Sequence, residues 1–235
     1  MTKTLNTTER EPFLSRRVML GAAVVATAGL VASLVTSRGS RTETATRQRN
    51  KPKRSTAELM KPLPGLPDLS IGKADAPVTI VEYASMTCPH CAEFHNKVLP
   101  VLKEKYIDKG KVRLVFREFL LDERGALAAM VARCAGNDRE LPLISVLFSK
   151  QDDWAPSKTD FLQKLFGYAQ QVGFTKQSFD QCRQNEKLLK TLVAQRDRGS
   201  EFGVRATPTF FVNGKRLAGV TIDDFEKAIA AASTP

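Results

Sequence analysis

One stretch of this chain decides most of what it can become. Val78-Thr-Ile-Val-Glu-Tyr83 is β-branched and almost wholly apolar, the composition of a strand covered on both faces. It leads closely into Cys88-Pro89-His90-Cys91. Phe94, Val98, Val101, Leu102 and Tyr106 then recur on one helical stripe that runs to about Lys109. A second apolar strand, 112–119, follows. Strand, helix and strand joined so tightly predict a right-handed βαβ unit with parallel strands.

From about 122 to 199 the periodicity is helical. It divides into 122–135, 141–151, 158–172 and 176–198, with breaks at Gly136-Asn137, Trp154-Ala155-Pro156 and Gly173. The pattern then returns to β. Thr209–Val212 and Arg216–Val220 flank Asn213-Gly214, a two-residue hairpin signal. Asp223 and Asp224 open a last helix reaching about Ala232, with negative charge suited to a helix N-terminus. The expected fold class is α/β, in the order βαβ, helical insert, ββα. With 42% hydrophobic and 26% charged residues over 235 positions, the chain can bury a sizeable core. It is neither a wholly disordered chain nor a many-helix membrane protein.

Charge separates the N-terminal region from the rest. Residues 1–61 carry 12 Lys/Arg against 4 Asp/Glu, and residues 62–235 carry 24 against 21. The folded part is therefore close to neutral, and it shows no interleaved basic and aromatic patch. Nucleic acid is excluded as a partner on that ground. An uncharged run, Val18 to Thr36, follows Ser15-Arg16-Arg17, so residues 1–36 read as an export signal or an N-terminal membrane anchor. A buried core helix fits poorly, because nothing polar alternates along the run. Arg16 and Arg17 with Val18-Met19-Leu20 resemble a twin-arginine export signal, although ordinary Sec signals also carry paired arginines. Residues 37–64 are basic and poor in apolar groups, which reads as a flexible linker. The domain is expected over 65–235.

The chemistry lies in the cysteines. Cys88 and Cys91, at i and i+3 of a helix start, are one turn apart, so their sulfurs can bond. The helix N-terminus favours an anion at Cys88 and lowers its pKa; Pro89 and His90 lie between, and His90 adds a polar neighbour. A stabilised thiolate favours the reduced form, so the disulfide is an oxidant. A substrate thiolate attacks Cys88 and a second one resolves the mixed disulfide. Cys91 is expected to be the more buried sulfur. A zinc site at this pair falls short of four ligands, and neither metal nor cofactor is expected. His95 alone reads as a helix-surface residue. Glu82, an acid in an apolar strand, either has a purpose there or faces water at the strand end. Ala206-Thr207-Pro208-Thr209 reads as an ordinary trans-proline strand entry, or as an edge where Thr207 pairs with an extended substrate. Cys134 and Cys182 remain, as two free buried thiols or as a pair.

Cys-Pro-His-Cys after a strand, a helical insert and then Thr-Pro-Thr-Phe-Phe-Val-Asn-Gly resembles the DsbA-like thiol–disulfide oxidoreductases of the thioredoxin superfamily, over roughly residues 65–233. The resemblance implies a thioredoxin fold with a helical insert at about 122–199. It implies that Pro208 is cis beside Cys88 and Cys91, excluding metal, and that Glu82 lies beneath the site and moves protons for the buried cysteine. It further implies a structural disulfide between Cys134 and Cys182. The function implied is a periplasmic dithiol oxidase acting on exported unfolded polypeptides, recharged by a DsbB-type membrane quinone oxidase. Thr207 is similar to the isomerase branch, which leaves an isomerase or reductase as the rival; a tethered binding or metal-carrier module is another. Isomerases usually dimerise through an added N-terminal domain. Residues 37–70 are too short and polar to supply one, which favours a monomeric oxidase.

Overall fold

The computed structural model describes residues 55–136, 138–158 and 160–233. Five strands form one sheet in the order β1-β3-β2-β4-β5: β1 (Leu69–Ile71), β2 (Val78–Ala84), β3 (Val112–Glu118), β4 (Thr209–Val212) and β5 (Lys215–Arg216). The apolar strands β2 and β3 are parallel at the centre, and the other pairings are antiparallel. The parallel pair needs a crossover, supplied by the helix α2. It is α-helical over Pro89–Glu93 and Leu99–Leu102, with wider π turns over Phe94–Val98 and Lys103–Ile107.

Alternation along β2 divides the core into two faces. Val78 and Ile80 pack with Phe94 and Leu102 of α2 and with Phe225 and Ile229 of the last helix, α9 (Ile222–Ser233). Val81 and Tyr83 point the other way, toward Leu59, Val204 and Phe211. The insert between β3 and β4 has its own apolar core around Leu143, Leu147, Trp154, Leu165 and Phe179. It comprises α3 (Glu123–Ala135), α4 (Glu140–Ser149), α5 (Gln151–Trp154), α6 (Phe161–Gln170), α7 (Lys176–Arg183) and α8 (Glu186–Glu201). Cys88 and Cys91 belong to this third cluster, so the cysteine pair sits where the insert meets the sheet.

The structure corrects four sequence readings. Residues 176–198 are not one helix: Asn185 accepts from the Leu188 N–H at 3.0 Å and starts a new one. The strand expected over 216–220 stops at Arg216. Beyond it Thr221 and Asp224 bond each other's backbone to cap α9. β1 was not foreseen. The linker expected over 37–64 is structured within 55–60: Ser55 and Glu58 form a capping box on helix α1 (Thr56–Met60), and Leu59 is buried. The Arg117 guanidinium reaches from β3 to the Leu59 and Lys61 carbonyls at 2.6 and 3.0 Å. It also holds the Asp68 carboxylate through two bonds of 2.8 Å. The export-signal reading, with Arg16 and Arg17, lies outside the described residues, as does most of the linker. Among the described residues no helix is long and apolar enough to cross a membrane.

Candidate active site

Cys88 is the N-cap of α2, in extended conformation, with Pro89 at the first helical position. That arrangement follows from the sequence, since proline has no N–H to lose there. The Cys88 carbonyl accepts from the N–H groups of Cys91 and Ala92. Cys88 is 7% exposed and Cys91 fully buried, the order that one helical turn of separation predicts. Across the site the Thr207–Pro208 peptide is cis, and the Cys88 thiol donates to the Thr207 carbonyl at 3.2 Å.

The two sulfurs are electrostatic opposites. The Cys88 pKa is lowered to about 5. The Cys91 thiol donates to its thiolate, and this outweighs partial burial; Thr207 and the backbone N–H groups of Cys91 and His90 add to it. The Cys91 thiol is pushed far up by burial first, then by its bond to Cys88 and the charge of Glu82. His90 acts on the sulfur through its backbone. Its imidazole is 78% exposed and faces Glu93 at 3.8 Å.

Glu82 is fully buried, which excludes the solvent-facing strand end. Its register partners are Phe116 on β3 and Phe210 on β4. The carboxylate lies 3.0 and 3.2 Å from His95 Nε2. His95 is therefore not a surface residue: its side chain is 5% exposed and stacks on Phe148 with 4.2 Å between ring centres. Its position four residues after Cys91, on the same side of the helix, was the available signal.

Two further contacts carried no signal in the sequence. Gln151 donates to the carbonyls of Met86 and Cys88 at 2.9 and 3.1 Å, holding the loop ahead of the helix. Asp122 caps α3 through the Gly125 N–H at 2.8 Å and accepts from the Thr87 hydroxyl. Gly125 permits this approach, because a side chain there would meet the Thr87 and Ser85 hydroxyls at 3.0 and 3.1 Å. Farther off, Cys134 on α3 and Cys182 on α7 form a disulfide. Among the described residues no group of three or more His, Cys, Asp or Glu could hold a metal ion. The arrangement can therefore store a disulfide between an acidic sulfur and a buried one, and present the acidic sulfur beside the Thr207 carbonyl.

The family model described as thioredoxin matches residues 66–231. A Rickettsia typhi protein bearing the name protein-disulfide oxidoreductase is 34% identical over 166 residues, 69% of this chain and 60% of that protein. A Bacillus anthracis protein, named probable disulfide bond formation protein D, is 30% identical over 168 residues, 68% of this chain and 76% of the other. The crystal structure of Wolbachia pipientis alpha-DsbA1 superposes with a TM-score of 0.69 at 32% identity, covering 76% of this chain and 96% of that one. The chain spans about 60% of the length of the Rickettsia relative.

Proposed function

We infer that this chain, which belongs to the thioredoxin family as one of its DsbA-like members, is a protein thiol–disulfide oxidoreductase working as a dithiol oxidase. The observation that carries the reading is Cys88, an acidic sulfur with a pKa of about 5, beside Cys91, whose thiol is held protonated by burial. A thiolate this stable is a good leaving group, and it favours the reduced enzyme over the disulfide.

The reaction starts from the Cys88–Cys91 disulfide. A substrate thiolate bonds to Cys88 Sγ, the Cys88–Cys91 bond breaks, and its electron pair stays on Cys91, which takes a proton. A second substrate thiolate then attacks the substrate sulfur of the mixed disulfide and expels Cys88 as the thiolate. The substrate loses two electrons and the enzyme gains them. Cys88 is the more exposed sulfur, so attack falls there. Thr207 and the cis-Pro208 beside it lie next to Cys88, just ahead of β4, and are the backbone we assign to pairing with an unfolded substrate chain.

The substrates we assign are exported polypeptides that have not yet folded, in an oxidising compartment such as the periplasm. Re-oxidation is assigned to a separate partner, a membrane quinone oxidase of the DsbB type. Cys134 and Cys182 are assigned a structural role, since their disulfide joins two helices of the insert away from the cysteine pair. Thr207, in place of the valine common in DsbA proper, favours the isomerase rival, and two assays side by side divide the readings. Oxidation of a reduced unfolded protein with little rescue of scrambled ribonuclease supports the oxidase. Efficient unscrambling with poor net oxidation overturns it. Cys91→Ser is expected to accumulate mixed disulfides with substrate; a clean lack of adducts argues against exchange chemistry at Cys88.

A further inference from the structure

Helix α2 begins differently from most of its neighbours. α1, α3, α6, α7 and α8 each start on a polar side chain that accepts from their own first turn. At α2 the N-cap is Cys88, and its sulfur makes no such bond. The helix start, and the reactive sulfur with it, is fixed from the turn ahead. The Cys88 N–H donates to the Ser85 carbonyl at 3.1 Å, which closes a turn over Met86 and Thr87. Met86 is buried at one corner of that turn. Thr87 is the other corner, and its hydroxyl donates to the Asp122 carboxylate at the head of α3. The second Asp122 oxygen accepts from the Gly125 N–H at 2.8 Å. The Ser85 hydroxyl lies 3.2 Å from that of Thr87, and Gly125 leaves the three side chains room to meet. One carboxylate thus ties the first turn of α3 to the residue before Cys88.

We propose that Asp122 is a positioning residue for the reaction: through the Thr87 hydroxyl it clasps the turn ahead of α2 and holds the Cys88 sulfur against the donors of that helix. The carboxylate is not among the groups that chiefly set the acidity of Cys88, so its effect passes through position and not through charge. A sulfur displaced from its donors is a less stable thiolate, and the disulfide that releases it is a weaker oxidant. The two losses are linked. Above the pKa, each tenfold loss of thiolate stability is a tenfold loss in the equilibrium constant for oxidising a dithiol. The clasp rests on thiol–disulfide exchange at Cys88, whichever polypeptides the protein serves.

Variants of the full-length protein separate position from charge and from capping. Thr87→Val removes only the hydroxyl. Asp122→Ser keeps a side chain that caps α3 but falls short of Thr87. Asp122→Asn keeps the reach and the cap and drops the charge. Each is titrated in the reduced form by thiolate absorbance and brought to equilibrium with a small dithiol. Thr87→Val and Asp122→Ser are each expected to move the Cys88 titration upward from about 5. The equilibrium constant for oxidising the dithiol is expected to fall by the matching factor, on the order of tenfold near neutral pH. Asp122→Asn is expected to leave both in place, and Thr87→Val with Asp122→Ser to do no more than either alone, because contacting residues act as one unit. A wild-type titration and equilibrium in Thr87→Val overturns the proposal, whatever happens to the thermal midpoint. So does a downward move in Asp122→Asn, the mark of a direct charge effect, and so do single effects that add in the double variant. Should Asp122→Ser fail to fold, Thr87→Val decides alone. A wild-type protein that equilibrates with the dithiol but oxidises no unfolded protein would remove the oxidase reading, and the Cys88 titrations would still decide the clasp.

Discussion

At Cys88, sidedness matters more than any one contact. The donors that converge on the sulfur come from the first turn of α2 and from Cys91, while Thr207 approaches from the bend that precedes β4. An ordinary thiol ionises near 9.0 and this one near 5. Between those limits the folded reduced state binds fewer protons than the unfolded chain, so its stability rises with pH. The gain is complete above about pH 9, shrinks steadily on acidification and is gone below about pH 5. The disulfide form has no such thiol and gains nothing. The reduced form is therefore expected to outlast the oxidised one in thermal unfolding at neutral pH, with the gap closing by about pH 5. Paired melts across that range check it, alongside the ultraviolet absorbance of the thiolate. A gap that does not move with pH would detach the acidity from folding. The acidic cysteine was legible in the sequence because a strand, a Cys-x-x-Cys and a helix fix it locally. The Glu82–His95 pairing was legible only in part: the four-residue spacing from Cys91 sets His95 on the site's side of α2, but the aromatic pocket that brings it to Glu82 follows no spacing rule.

The elements of the insert are tied to the site by polar contacts and to each other by a disulfide, and the two kinds of tie predict different phenotypes. Gln151 reaches back from α5 to two carbonyls of the loop before Cys88. Gln151→Leu leaves both carbonyls buried without that donor, at an expected cost of about 1–3 kcal/mol, and is expected to slow disulfide exchange by loosening the loop. Denaturant midpoints together with exchange rates check both halves; a stable variant with loosened kinetics would place the role in positioning alone. The Cys134–Cys182 bond closes a separation of 48 residues. In the chain-entropy model that contributes about 4 kcal/mol, so the paired variant Cys134→Ala/Cys182→Ala is expected to lose about that much stability while Cys88 still titrates near 5. A moved titration would mean that this bond tunes the site. The helical stripes of the insert were readable because each buries one face. The break before Asn185 was hidden because apolar residues continue on either side of it, and the cap alone ends one helix and starts the next. β1 was hidden for a related reason: three half-buried residues make no pattern until β3 lies beside them.

Across the whole molecule, buried charge joins parts that are remote in sequence. Glu82 meets His95, Arg133 meets Glu118 and the Pro67 carbonyl, and Arg117 meets Asp68. Apolar periodicity shows where a core lies but says nothing of such pairs, which is why residues 55–60 looked like free linker from composition alone. Arg117 explains their place. Its planar fork serves two carboxylate oxygens, the Leu59 and Lys61 carbonyls and the Tyr83 hydroxyl at once, a geometry that an ammonium group cannot reproduce. Arg117→Met strands the Asp68 charge and two carbonyls and is expected to cost about 3–5 kcal/mol. Adding Asp68→Leu is expected to recover part of that loss, because no charge is then left buried alone. Arg117→Lys is expected to fall between wild type and Arg117→Met. In all three, limited proteolysis is expected to cut within 55–68 before the remainder of the domain opens, while Cys88 stays acidic, since neither Arg117 nor Asp68 is among the groups acting on that sulfur. An unchanged unfolding midpoint in Arg117→Met would mean that Leu59 holds the segment by packing alone, and the arginine would lose its role as the clamp.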